Sequence, residues 1–424
     1  MREDFFMGAN EARPKPEIAA VARRRSCKIP TLNTHRMRSE FCLMSAMLRF
    51  AALVMFAATC VAQESRTWTA RTGRSFDARL VACDAVRATL EVAGRKTIVP
   101  FAALSAADVE FARSWRRERL GTALIDPECL PPWPGQAVAE VASVQAVESD
   151  AVARSFIWES AHFRITSDLQ LPLGIVRDFA LVFEATREVI LATPLGLHPG
   201  GERAKYRVQL FSNPVDYGQA GGPTASGGYF NGREMLILLP NLGIKPGTNG
   251  LTAAYAKSLF VLKHEVTHQI LRPWGWVLPT WLDEGFSECV ASWPYTQGRY
   301  SLQNLNAGMH DYLLKWRRGP DNRTLRIIGP PTLMNLTGDE WRTQVAAQTA
   351  YDHYNSAALL THYFLRHDGR GDSAGLATYL DAIRRGTPPI EAEEKHLLRG
   401  RTRTDLTAEL RKLARRLAID VTVE

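Results

Sequence analysis

The sequence predicts an α+β fold, on three observations. Short alternating apolar runs bounded by turn residues fill the first half, at 66–100 and again at 162–238. From Thr252 onward the period changes to that of amphipathic helices, expected at 252–271, 281–292, 351–366, 373–385 and 405–418. Strands gathered ahead of helices argue against a repeating βαβ order.

Taken in order, residues 1–62 read as an extension that ends in a signal peptide. Residues 1–46 show no sustained period. Met47 and Arg49 then open a short basic start, Phe50 to Ala62 carries no charge, and small residues close it. That run is too short to span a bilayer comfortably. A cut after Ala62 would leave a secreted or periplasmic chain beginning near Gln63, with no transmembrane segment. Three cysteines would remain, Cys83, Cys129 and Cys289, too few and of the wrong parity for a disulfide-built scaffold.

Residues 66–118 read as a small β module. Phe76, Ala78 and Leu80 alternate, as do Ala88, Leu90 and Val92, and Gly94-Arg95 supplies a turn before Thr97-Ile98-Val99. Ser105 and Asp108 form a capping box for a short helix carrying Val109, Phe111 and Trp115. Residues 119–155, rich in proline and alanine, read as a linker. The larger domain spans 156–418. It opens with a strand in HFRITSD, a helix from Leu173 to Ala192 closed by Pro194, and a strand in YRVQLFS. A hairpin in GGYFNGREMLILLP turns at Asn231-Gly232, and its strand is expected as an edge over the cleft that offers backbone pairing to an extended peptide, with Gly227 and Gly228 allowing close approach.

The net charge of +8 does not imply a nucleic-acid partner. Residues 1–62 hold ten Lys/Arg and five Asp/Glu, so most of the excess lies in the part expected to be removed. The remainder has no concentrated basic patch outside its last helix.

The chemistry concentrates in HEVTHQILRPWGWVLPTWLDEGFSEC, His264 to Cys289. His264 and His268, four apart on a helix, present both imidazoles on one face, close enough to share a metal. Tyr255, Leu259, Leu262, Val266 and Ile270 make a separate core stripe, so packing does not need the histidines. Glu265 is offset from them, placed to reach a water without ligating. A zinc site with an open position wants a third protein ligand. Glu284 supplies it from the next helix, whose start is expected as a Thr280/Asp283 capping box. Glu288, one turn on, is placed to accept from the distal nitrogen of a ligating histidine.

HEVTHQ followed by PTWLDEGFSE resembles the gluzincin metallopeptidases, peptidase MA-like proteins in which HExxH precedes a third ligand in a W-L-N/D-E-G segment. The likeness covers roughly 156–418. Fifteen residues separate His268 from Glu284, a few fewer than in the aminopeptidase N and thermolysin groups. The G-A-M-E-N strand of aminopeptidases is absent. The resemblance implies zinc held by His264, His268 and Glu284 with water in the fourth position, Glu265 as general base, and a peptide or protein substrate, cleaved internally. Residues 350–365 resemble the helix that carries the transition-state tyrosine of the aminopeptidase N family, with Tyr354 on the tyrosine and Tyr351, one turn earlier, as its rival. RTWT and GRKTIVPFAALSAADVEF resemble the SH3-like Sla-homology modules of secreted bacterial proteins, which implies a spacer or an envelope- or protein-binding role. Two other classes stay open: a zinc domain that binds peptides or envelope polymers without turnover, and a metal-free envelope interaction protein.

Overall fold

Alternation at Ala78 and Leu80, and at Ala88 and Leu90, is what builds the first sheet: these four side chains point inward and are buried. The computed structural model describes residues 65–83, 86–120, 129–140, 143–197, 204–223, 226–244, 255–315, 324–345 and 350–424, with backbone alone at 255–258 and 350. The expected signal segment at 47–62, the first three residues of the helix expected from Thr252, the Tyr255 side chain and His198 lie outside the described residues. Gln63–Glu424 clusters as one unit. The class is α+β.

Strands β1 (Arg66–Thr69), β2 (Ser75–Cys83), β3 (Arg87–Val92) and β4 (Arg95–Pro100) form an antiparallel meander. Val92 pairs with Arg95, so the turn residues are Ala93 and Gly94, one position earlier than the sequence suggested. Half of the capping box expected at Ser105 and Asp108 forms: the Asp108 N–H donates to Ser105 Oγ at 3.2 Å and that hydroxyl donates to Asp108 Oδ2 at 2.8 Å, while the Ser105 N–H goes to Thr69 O at 2.8 Å. Asp108 Oδ2 also accepts the Thr69 N–H at 2.7 Å, which ties the helix to β1. That helix, α1 (Ala106–Leu120), is fifteen residues rather than short.

The stretch read as a linker contains two strands, β5 (Gln136–Val138) and β6 (Gln145–Asp150). Their side chains are mostly exposed, so no apolar alternation announced them. β6 is the far edge of a six-stranded sheet ordered β10-β11-β9-β8-β7-β6, with β7 (Ser155–Glu159), β8 (Phe163–Ser167), β9 (Tyr206–Phe211), β10 (Gly228–Phe230) and β11 (Met235–Leu238). β8, β9 and β11 run parallel, and the rest pair antiparallel. Among the described residues a βαβ unit joins β8 to β9 through α2 (Leu173–Ala192), whose Val176, Phe179, Phe183 and Ile190 are buried.

The β10–β11 hairpin forms, with its turn one position later than expected. Phe230 pairs with Met235 and the Asn231 N–H donates to Glu234 O at 3.2 Å, which leaves Gly232 and Arg233 at the turn. Asn231 Oδ1 accepts the Arg233 and Glu234 N–H groups at 2.9 Å each, and Gly232 takes φ 82°. The asparagine side chain acts as an Asx turn that fixes this register.

A six-residue helix, α3 (Pro214–Gln219), follows β9. The site helices come next: α4 (Tyr255–Ile270), which packs on α2 and β10, and α5 (Thr280–Ser292). Beyond them lie α6 (Leu305–Lys315), α7 (Pro330–Leu333), α8 (Gly338–Val345), α9 (Ala350–Arg366), α10 (Ala374–Arg385), α11 (Pro389–Ala392) and α12 (Arg403–Arg416). The core of α5 is Leu282, Phe286, Cys289 and Val290, all buried. It lies against α9 so closely that a Cβ on Gly285 would meet Ala357 O at 2.4 Å and Thr361 Oγ1 at 2.3 Å. Only glycine admits that backbone-to-backbone approach. It fixes the helix bearing Glu284 against the helix bearing Tyr354. The β meander is anchored on this helical part by Arg116, whose guanidinium donates to the Ile383 and Arg384 carbonyls of α10.

Candidate metal centre

The spacing of His264 and His268 on α4 puts the two Nε2 atoms 3.0 Å apart. Glu284 of α5 reaches across to both. Its Oε2 lies 3.5 Å from His264 Nε2 and 3.4 Å from His268 Nε2. Three ligands of a tetrahedral zinc, each about 2.0–2.2 Å from the ion, stand roughly 3.3–3.5 Å from one another. The observed triangle therefore has the size of such a site. Glu284 Oε2 is buried, and no protein donor bonds to it among the described residues. A buried carboxylate oxygen left between two imidazole nitrogens is costly unless a cation sits there.

The electrostatics say the same. Burial disfavours charge on His264, yet Glu288 and Glu284 push it up to about 10. Burial likewise opposes protonation of His268, and Asp283 and Glu284 drive it well above the usual histidine value. Against its own burial, Glu284 is held well below the usual carboxylate range by the two imidazoles. The cluster calls for positive charge where its ligand atoms converge, and a divalent ion supplies it with the imidazoles neutral.

Each distal nitrogen has an acidic neighbour. His264 Nδ1 faces Glu288 Oε1 at 3.2 Å as an ion pair, without the hydrogen bond expected of Glu288. His268 Nδ1 faces Asp283 Oδ1 at 3.5 Å and Ser287 Oγ at 3.3 Å. Asp283 is therefore not the second half of a capping box. Pro279 is the N-cap of α5, and Thr280 is already helical, so no side chain caps that end. Ser287 and Asp283 are site residues that the sequence reading did not assign. Their places at i−1 and i+3 from Glu284 are the signal that was available.

Glu265 lies beside the triangle but outside it. Its Oε2 accepts the Phe230 N–H of β10 at 2.7 Å. Gly228 of the same strand makes this possible, since a Cβ there would meet Val261 Cγ1 at 3.0 Å and Glu265 Cγ at 3.4 Å. The outward N–H groups of β10 are thus taken, Gly228's by Ser226 Oγ at 3.2 Å and Phe230's by Glu265. The expected free edge for an extended peptide is instead an edge that positions the glutamate.

A cavity of about 340 Å³ adjoins the triangle, lined among others by Tyr229, Glu265, Arg272, Trp276 and Tyr354. Tyr354 is in it and Tyr351 is not. The Tyr354 ring packs edge-on to His264 and Trp341, with centroids at 6.2 and 5.6 Å. Burial, then the charges of Glu284 and Glu288, push its phenol far up, so it remains a hydrogen-bond donor. His162, His353 and His362 lie apart from this centre: His162 pairs with Glu184, His353 with Gln344 and His362 with Asn306.

Comparison with protein-family models and with curated proteins returns no match to this chain. The site is therefore read from its geometry.

Proposed function

We propose that the protein is a zinc-dependent metallopeptidase that cleaves peptide bonds internally, with His264, His268 and Glu284 as ligands and Glu265 as general base. The observation that carries this reading is the 3.0–3.5 Å triangle of ligand atoms with an orphaned carboxylate oxygen at its apex. When bound there, zinc supplies a Lewis acid that polarises a carbonyl and acidifies water. Glu265 takes the proton of the attacking water and passes it to the leaving amine. Tyr354, protonated and in the same cavity, donates to the carbonyl oxygen as negative charge grows on it. Glu288 and Asp283 hold the imidazoles in the tautomer that leaves Nε2 free for the metal. The resemblance to gluzincins supports the same assignment, and that of residues 66–118 to SH3-like modules supports an exported chain with an N-terminal binding or spacer module.

A second reading, a zinc-containing peptide- or envelope-binding protein without turnover, draws support from the Phe230 N–H that occupies a Glu265 oxygen. One assay separates the two. The zinc-loaded protein is incubated with unfolded protein and a peptide library, beside Glu265→Gln and a chelated sample. Cleavage lost in both controls, and regained with zinc in the chelated sample alone, supports the peptidase. Stoichiometric zinc without cleavage of any substrate selects the binding protein.

A further inference from the structure

Among the described residues, the cavity beside the ligand triangle holds one cation that the proposed chemistry does not use. Arg272 lies four residues past His268. Past α4 the bonding tightens, with the Leu271 N–H on Thr267 O at 2.8 Å and the Arg272 N–H on Gln269 O at 3.4 Å, and Arg272 lines the same cavity as His264 and His268. The arginine is exposed, lines the cavity, and has no ion-pair partner among the described residues. The acids that share the cavity are committed elsewhere: Asp283 to His268, Glu284 to both imidazoles, Glu265 to the Phe230 N–H. Beside Arg272 stands Trp276, 55% exposed, a large apolar side chain left facing the same cavity. A second cation flanks that ring, Lys96 of β4, with its Nζ 6.0 Å from the ring centroid and no acidic partner among the described residues.

We propose that Arg272 is the specificity residue of this cleft and reads a carboxylate of the substrate, with Trp276 as the apolar shelf beside it. A guanidinium binds a carboxylate through two parallel N–H donors, and a neutral amide cannot replace that acceptor. His268 and Arg272 line the same cavity, so the carboxylate belongs to a peptide residue near the bond held at the metal. It comes from an Asp or Glu side chain, or from the chain's own C-terminus. That the carboxylate is a peptide's rests on the peptidase reading. The free guanidinium does not.

The test uses zinc-loaded Glu265→Gln protein, which holds peptides without cutting them. A single Glu is walked through a short Leu- and Ala-containing peptide. Each version is compared with its Gln twin, and each is made with a free or an amidated C-terminus. At one position Glu should bind about 10–100-fold tighter than Gln, or the free terminus tighter than the amide by that factor. Arg272→Met should abolish the difference while zinc content stays the same. Arg272→Glu should reverse it toward Lys. A carboxylate that gives no advantage anywhere, or an advantage that survives Arg272→Glu, overturns the assignment. Wild-type turnover on the same series keeps the two readings apart. Discrimination without cleavage removes the peptidase and leaves Arg272 standing, and cleavage without discrimination does the reverse.

Discussion

Two cavities of this molecule place a histidine against a buried glutamate, and they differ in what the glutamate's oxygens face. In the cavity beside β7 and α2, Glu184 accepts from Ser160 Oγ at 2.7 Å, from the His162 N–H at 2.8 Å and from His162 Nδ1 at 2.7 Å. Both oxygens are satisfied, and the pair ties the β7–β8 turn to α2. Beside α4, Glu284 Oε2 faces two imidazole nitrogens and has no donor. The same residue types give structure where donors close the network and a group that could hold a metal ion where they do not.

The sharpest break between the two comes from Glu265→Gln. It should lower turnover about 10²–10⁴-fold, since a general base is removed, and leave zinc bound, since Glu265 is not in the triangle. Unchanged turnover on a peptide that the wild type cleaves would end the proposed mechanism. Tyr354→Phe should cost roughly 10²–10³-fold in kcat with KM little changed. Tyr351→Phe, which alters a side chain outside the cavity, should cost almost nothing, and the opposite pattern would shift the role one turn back along α9.

Glu288→Ala and Asp283→Ala should each weaken zinc binding about 10–100-fold, because each supports one ligating imidazole. A competitive chelator titration reads this directly. Glu184→Ala should leave zinc affinity alone and cost about 1–3 kcal/mol in urea unfolding, since buried donors lose their acceptor. If Glu184→Ala sheds zinc, the two cavities are not distinct in kind.

A buried histidine outside both cavities gives the smallest effect. His362 has no carboxylate beside it, and burial, then His367 and Arg366, push it down to about 3. Unfolded, it titrates near 6.5. Its folded pKa is depressed, so between about 6.5 and 3 the unfolded chain binds a proton that the folded chain refuses, and stability falls as pH falls through that window. At pH 5.5, relative to pH 8, the loss from this group is at most about 1.4 kcal/mol. Unfolding at both pH values in wild type and His362→Asn should show that increment only in the wild type.

Much of the site could be read from spacing, because helical geometry makes it local. His264 and His268 share a face whatever surrounds them, and Glu284 and Glu288 follow on the next helix. Asp283 was misread because a Thr-x-x-Asp pattern suits both a cap and a site, and only the backbone at Pro279 decides. The Phe230 contact to Glu265 depends on a sheet order that places β10 at the edge beside α4, which no local pattern encodes. For the fold, the long helices announced themselves by period. β5 and β6 did not, because their exposed residues carry no apolar alternation, and strand Asp420–Val423 pairs with strand Thr324–Ile327 across nearly a hundred residues.

The central claim is that His264, His268 and Glu284 are one metal site, and metal content tests it most directly. Protein purified without chelator should carry about one zinc per chain by elemental mass spectrometry. His264→Ala, His268→Ala and Glu284→Ala should each lose it, while Glu184→Ala keeps it. Folded wild-type protein that holds no transition metal, and takes up none on titration with zinc, would contradict the account.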